Sequence, residues 1–206
     1  MRKCSKPEQY IYLIMNKPVG YVCSSVSDTH KTVYELLTSE LQKLVQECPR
    51  GSRLHTVGRL DCDTSGLLLI TNDGKLSHGI TTDIKITKTY RAVLCEPVKP
   101  EEQTGYILRA AAGLTLPPEK KYGEQKALPA VLEFETSSIC KITVNEGKFH
   151  EVRRIFRALG NEVTELERLS IGKLKLPRTL KPGQWREFTE EERKSVSLFL
   201  FQKSNT

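Results

Sequence analysis

The stretch from His55 to Gly74 limits what this chain can become more than any other. Leu67-Leu68-Leu69-Ile70 is an unbroken apolar run, closed by the turn signal Asn72-Asp73-Gly74. A run of this kind, bounded by turn residues, suits a strand buried on both faces. Just before it, a Gly-bounded loop carries Arg59, Asp61 and Asp63. Sheet scaffolds commonly hold reactive side chains this way, on a loop that leads into a rigid strand. The same loop has a plain structural use, because Asp side chains organise turns through hydrogen bonds to nearby backbone. On this stretch alone, Asp61 and Asp63 are equivalent.

A chain of 206 residues fits one large domain or two small lobes and is long enough to bury a substantial core. Its 38% apolar and 28% charged residues place it among ordinary globular proteins rather than disordered ones. No run approaches the ~18 apolar residues of a membrane span. The N-terminus is basic and lacks the apolar core of a secretory signal, so a cytoplasmic location and no membrane contact are expected. Cys4, Cys23, Cys48, Cys62, Cys95 and Cys140 include no Cys-x-x-Cys pair and no His at zinc spacing, which argues against a disulfide framework or a zinc site. Cys140 lies in a strand pattern and reads as core. Cys62, between two acids, has its thiolate disfavoured and is no candidate nucleophile. The formal charge of +7, from 32 basic and 25 acidic residues, favours a polyanionic partner, nucleic acid first.

Along the chain, Tyr10–Asn16 reads as a buried first strand, ended by Lys17-Pro18-Val19-Gly20. Tyr21–Ser24 opens a second, short one. Thr32–Cys48 has a helical stripe of Val33, Leu36, Leu37, Leu41, Leu44 and Val45, with a capping box from Thr32 and Glu35 and a stop at Pro49. Pro49–Arg53 is a basic loop. Lys75–Thr82 and Pro100–Ala112 read as helices, and Lys88–Cys95 as a strand with Tyr90, Ala92 and Leu94 on one face. Leu116–Pro129, rich in Pro and Lys, is expected to be a mobile basic loop. Ala130–Glu135 and Ile139–Val144 form a strand pair. In Asn145–Gly160, Val152, Ile155, Phe156 and Leu159 mark one face of a helix capped by Gly160, with Arg153, Arg154 and Arg157 on its flanks. Glu162–Leu176 returns to strand, broken at Gly172. Trp185–Phe188 is a last strand, and Thr189 with Glu192 caps a closing helix. This mixed order favours an α+β fold with a largely antiparallel sheet.

Several constellations remain. Asp61-Cys62-Asp63 is formally a metal-binding Asp-x-Asp pair, but no further ligand cluster accompanies it, and no metal site is expected. No Gly-rich phosphate loop is present. His30, His55, His78 and His150 show no triad or ligand spacing. Three arginines without intervening acids, next to Lys148, would make a good phosphate platform.

Gly58-Arg59-Leu60-Asp61, followed by Thr64-Ser65-Gly66-Leu67-Leu68-Leu69 and Thr71-Asn72-Asp73-Gly74, closely resembles the catalytic motif of RNA pseudouridine synthases. Within them it is similar to the RsuA-like branch, which modifies ribosomal RNA. Four further segments match in order. Tyr12–Ser24 resembles the family's Asn-Lys-Pro-x-Gly opening, and Lys88-Thr89-Tyr90 its Lys-x-Tyr strand. Glu146–Arg154 resembles its Glu-Gly-[RK]-x-His-Gln-[IV]-[RK]-[RK] element, with Glu151 where the family usually has Gln. Arg168, Ile171-Gly172, Pro182-Gly183 and Thr189–Glu192 follow its C-terminal pattern.

The resemblance implies the pseudouridine synthase fold: a mixed, mostly antiparallel sheet flanked by helices, with the active-site cleft between two lobes. It implies site-specific isomerisation of uridine to pseudouridine in ribosomal RNA, with small-subunit rRNA favoured by the wording of Tyr21–Ser24 and Leu128–Glu133. It makes Asp61 the nucleophile, Tyr90 the ring that stacks on the flipped-out base and Arg153 the partner that keeps Asp61 ionised. Arg59, Lys88, Lys148, His150, Arg154 and Arg157 become RNA contacts. The reaction is redox-neutral and hydrolyses nothing, so no cofactor is expected. Residues 1–206 are expected to form a single catalytic domain with a short tail at 1–10. Members commonly carry an N-terminal S4-type RNA-binding domain, which is not expected here. RNA capture would then fall to the loops Pro49–Arg53 and Pro117–Lys126 and to the arginine helix. The partner is ribosomal RNA or a ribosomal subunit precursor, and the protein is expected to be a monomer. Two rivals stand beside this: a non-catalytic RNA-binding protein of the same fold, and a metal-dependent nucleotide or sugar transferase built on Asp61 and Asp63.

Overall fold

The central apolar run is a strand, and Leu67 to Ile70 are each no more than 1% exposed. The structure, a computed structural model, describes residues 9–49 and 51–201, apart from the side chains of 197–201. Cys4, Arg50 and residues 1–8 of the expected tail lie outside the described residues. In chain order the strands are β1 (Tyr12–Lys17), β2 (Tyr21–Val22), β3 (Lys31–Thr32), β4 (His55–Thr56), β5 (Thr64–Thr71), β6 (Lys88–Leu94), β7 (Thr115–Leu116), β8 (Gln125–Lys126), β9 (Val131–Phe134), β10 (Ile139–Val144), β11 (Val163–Ile171), β12 (Leu174–Lys175) and β13 (Trp185–Glu187). The α-helices are α1 (Ser39–Gln46), α2 (Gly74–Thr82), α3 (Pro100–Ala111), α4 (Glu151–Leu159) and α5 (Glu190–Phe201). The chain is α+β and divides into two units. One holds the segments up to Asp83 and from Lys173 onward, and the other is Ile84–Gly172.

In the first unit, β1 pairs antiparallel with β13 on one side and with β5 on the other, Tyr12 opposite Thr71 and Lys17 opposite Gly66. β4 pairs with the far end of β5, and β2 with β3 forms a short parallel pair. Asp73 explains how β5 turns into α2: its carboxylate accepts from the amides of Lys75 and Leu76, at 3.0 and 3.2 Å, satisfying two orphan donors of the first turn. Thr189 and Glu192 cap α5 reciprocally, as their spacing predicts.

The helix expected over Thr32–Cys48 is split. A 3-10 turn covers Val33–Leu36, the chain is extended at Leu37 and Thr38, and only then does α1 begin. In a continuous helix the Leu36 carbonyl would accept from Glu40. Here the Trp185 indole donates to it at 3.0 Å, a partner 149 residues away that periodicity does not reveal.

In the second unit, β11, β6, β10 and β9 form an antiparallel array in that order. α4 lays Val152, Ile155, Phe156 and Leu159 onto a core with Ala92 and Ile142. Gly160 at +92° ends the helix in the left-handed region, where a glycine carries no Cβ penalty. Cys140 is fully buried in this core, and burial pushes its thiol up to about 12, so it is inert packing at neutral pH. The segment expected to be a mobile loop is instead an ordered hairpin. β7 and β8 pair, Ala127 donates to the Leu114 carbonyl at 2.8 Å, and Glu119 and Tyr122 exchange backbone bonds at 2.8 and 3.0 Å.

Candidate active site

Asp61 sits in the five-residue loop Arg59–Asp63, between Gly58 and β5. Gly58 enters that loop at φ +67°, a conformation that disfavours side chains. Leu60 is buried, and its amide and carbonyl both meet the Cys23 thiol, at 3.4 and 3.5 Å. Gly20 donates to the Cys62 carbonyl at 2.8 Å, and Thr64 to the Asp61 carbonyl at 3.1 Å.

The strongest clamp is one that sequence reasoning misses. Lys17, at the end of β1, is 0% exposed, and its ammonium donates to the carbonyls of Thr64 (2.8 Å), Asp61 (3.0 Å) and Pro18 (3.0 Å). Burial lowers its pKa, and the charges of nearby Cys23, Cys62, Asp61 and Asp63 act the other way. Sequence carries no direct signal for this: Lys17 follows Asn16 at the end of the strand, and the several acceptors that a buried ammonium needs are supplied only by the folded backbone. The backbone on both sides of Asp61 is thus held while Asp61 itself is half-buried and Asp63 exposed. Arg59 is exposed. With Arg53 and His55 it lines a concavity of about 380 Å³ beside the loop. Among the described residues no group of three or more His, Cys, Asp or Glu is gathered to hold a metal ion.

The other expected residues belong to the second unit. Tyr90, half-buried on β6, stands opposite Ile142 of β10 and Arg168 of β11. Lys88 is buried at the start of the same strand. Arg153 on α4 is half-buried and donates to the Val163 carbonyl at 2.7 Å. Lys148 pairs with Glu146. His150 begins α4 at φ +48°, and its Nδ1 lies 2.8 Å from Glu119, whose other oxygen accepts from Arg157 at 2.8 Å. Burial raises the Glu119 pKa, but His150 and Arg157 outweigh it and the net shift is downward.

Arg154 has a different place from the phosphate contact expected of it. It is 0% exposed and donates to the carbonyls of Pro117 (2.8 Å) and Gly123 (2.9 Å) and to the Gln125 side chain (2.7 Å). In this arrangement it holds the hairpin from within and presents no face to a ligand.

Glu151, which stands where the family usually has Gln, is 5% exposed. Burial, followed by the hydrogen bond and charge of Glu146, raises its carboxyl to about 8, while Glu146 is pushed down. A protonated Glu151 donates a hydrogen bond as a glutamine amide does, so the helix start is neutral there at pH 7.

Three comparisons with known proteins bear on this site. A family model described as RNA pseudouridylate synthase matches residues 11–158. The chain is 41% identical over 186 residues to ribosomal small subunit pseudouridine synthase A of Escherichia coli strain K12, covering 90% of this chain and 73% of that protein. The protein of the same name from Pasteurella multocida is 38% identical over 182 residues, covering 88% of this chain and 71% of the other. A crystal structure of a pseudouridylate synthase superimposes with a TM-score of 0.78 at 37% identity, covering 92% of this chain and 74% of that one. A Cbf5-Nop10-Gar1 complex shares the fold, at a TM-score of 0.57 and 16% identity.

Proposed function

The chain belongs to the RNA pseudouridylate synthase family, and on that premise we propose that it isomerises one uridine of small-subunit ribosomal RNA to pseudouridine. The reaction breaks the bond from ribose C1′ to uracil N1 and remakes it at C5. Nothing is oxidised, and no water enters the product. It requires a positioned carboxylate, which serves each of three routes: attack at C1′, attack at the base, or removal of a sugar proton. In this reading Asp61 is that carboxylate, Tyr90 stacks on the extruded base and Arg153 is the cation of the reaction centre. The observation that carries the reading is the clamped backbone around Asp61, with Lys17 at its centre, because a nucleophile held in place needs little reorganisation to react. Arg59 beside its concavity is suited to a phosphate or to the space left by the flipped base. The proposal extends to residues 1–206 acting as one catalytic domain, in the cytoplasm, as a monomer and without a cofactor, on ribosomal RNA or a subunit precursor.

The test is pseudouridine formation by the purified protein on small-subunit rRNA, with and without EDTA. Product that is indifferent to EDTA and absent with Asp61→Asn is expected. Activity that disappears with EDTA and returns with a divalent ion would overturn the isomerase reading in favour of a metal-dependent transferase.

A further inference from the structure

The hairpin Thr115–Lys126 carries an arrangement that the isomerisation chemistry does not use. The Tyr122 ring stacks on Phe149 with centroids 4.6 Å apart and planes 20° apart, and Phe149 stacks on His150 at 3.8 Å and 18°. Two rings cannot share one face of Phe149 at these distances, so the three form a column with Phe149 in the middle. Its His150 end is tied down through Nδ1 to Glu119. Its other end is Tyr122, half-buried at the tip of the hairpin, with Lys121 and Gly123 exposed on either side. The Lys121 ammonium stands 5.5 Å from the Tyr122 centroid, and that of Lys120 the same distance from the Phe149 centroid. Both lysines are exposed.

This end is held ready. Arg154 grips the Gly123 and Pro117 carbonyls from inside, and the backbone bonds between Glu119 and Tyr122 close the tip. An aromatic face that is already positioned loses little ordering entropy when a flat ligand stacks on it. Aromatic rings flanked by lysines are how single-stranded nucleic acid is held, with bases on the rings and phosphates on the cations. Of the acids in this hairpin, Glu119 is already paired with His150 and Arg157 and leaves less negative charge to repel a phosphate, while Glu124 is exposed and outnumbered by Lys120, Lys121 and Lys126.

We propose that the Tyr122–Phe149–His150 column is a second RNA subsite: an unpaired base of the bound RNA stacks on the outer face of Tyr122, displacing the Lys121 ammonium that stands over the ring, and Lys120 and Lys121 take the adjoining phosphates. This rests on the proposed function, which supplies the RNA, and adds a point of capture to it.

The probe is a short unstructured RNA carrying 2-aminopurine, titrated into the Asp61→Asn protein so that no turnover intervenes. Stacking on Tyr122 quenches the fluorophore on binding. Tyr122→Leu, which keeps apolar bulk without a ring, loses the quench and weakens binding about tenfold, whereas Tyr122→Phe and Tyr122→Trp retain both. Replacing Lys120 and Lys121 with alanine reduces the slope of log affinity against log salt by about 0.7 for each phosphate that is no longer neutralised. Unchanged quench and affinity with Tyr122→Leu would overturn the subsite, leaving the column as internal packing or as a face for a protein partner. Equal losses with Tyr122→Leu and Tyr122→Phe would do the same, since only the ring is invoked. The readout is independent of catalysis. Quenching by the Asp61→Asn protein together with no pseudouridine formation by the wild type would sink the isomerase and spare the subsite, whereas wild-type turnover with no ring-dependent quench would do the opposite.

Discussion

At the residue scale, the proposed chemistry depends on what holds Asp61 and on what separates it from Asp63. Lys17→Met preserves bulk but strips a donor from three carbonyls, that of Thr64 buried and those of Pro18 and Asp61 partly so, and should cost about 3 kcal/mol in denaturant unfolding and reduce turnover further than that loss explains. Unchanged stability would deny Lys17 its role as the clamp. Asp61→Asn should abolish product while RNA binding survives. Asp63→Asn should be milder, because that side chain is exposed; equal losses of product would return the two to equivalence.

Glu151 gives a test in pH. Its folded carboxyl titrates near 8, above its ordinary 4.5, so folding takes up a proton between those values. The resulting stability is full below pH 4.5 and is lost as pH rises through about 8. Glu151→Gln should therefore melt with the wild type near pH 4.5 and above it at pH 9, and a constant difference across that range would count against a buried, protonated Glu151. Asp61 is legible as a candidate because its loop enters an apolar strand. Lys17 is not, although it stands in the Asn-Lys-Pro-x-Gly segment, since no local pattern says that a lysine at a strand end turns inward.

At the element scale, strands and helices whose apolar residues face a core are legible: β10 and α4 follow their patterns to within a residue or two, and β5 contains its apolar run but begins three residues before it. Failures come where a distant side chain decides the local path. The Trp185 indole captures the Leu36 carbonyl and divides a helix that its own stripe predicts to be continuous. Arg154 turns a Pro- and Lys-rich segment, which composition reads as loose, into an anchored hairpin. Composition reports what a segment lacks in apolar residues, not what a buried guanidinium supplies from another element. Arg154→Ala should therefore cost about 3 kcal/mol and speed hydrogen exchange at the amides of Tyr122 and Ala127, whose bonds close the hairpin. Unaltered exchange at those two amides would mean that the hairpin stands without the arginine.

At the scale of the whole molecule, the formal charge of +7 fits a polyanionic partner but names none, and much of the basic surface is already committed. Arg154 is internal, Arg157 and His150 share Glu119, and Lys148 is paired with Glu146. Sequence motifs carry the family because five segments in order span most of the chain, while charge gives only a direction. The rRNA target is read from relatives that cover 90% of this chain, and it is the central claim. The most direct measurement is a pseudouridine map of total rRNA from cells with and without this gene, complemented by wild type and by Asp61→Asn. One small-subunit uridine should lose its pseudouridine on deletion and regain it only with the wild-type gene. A map unchanged by deletion, or a site restored equally by the Asp61→Asn protein, would contradict that claim.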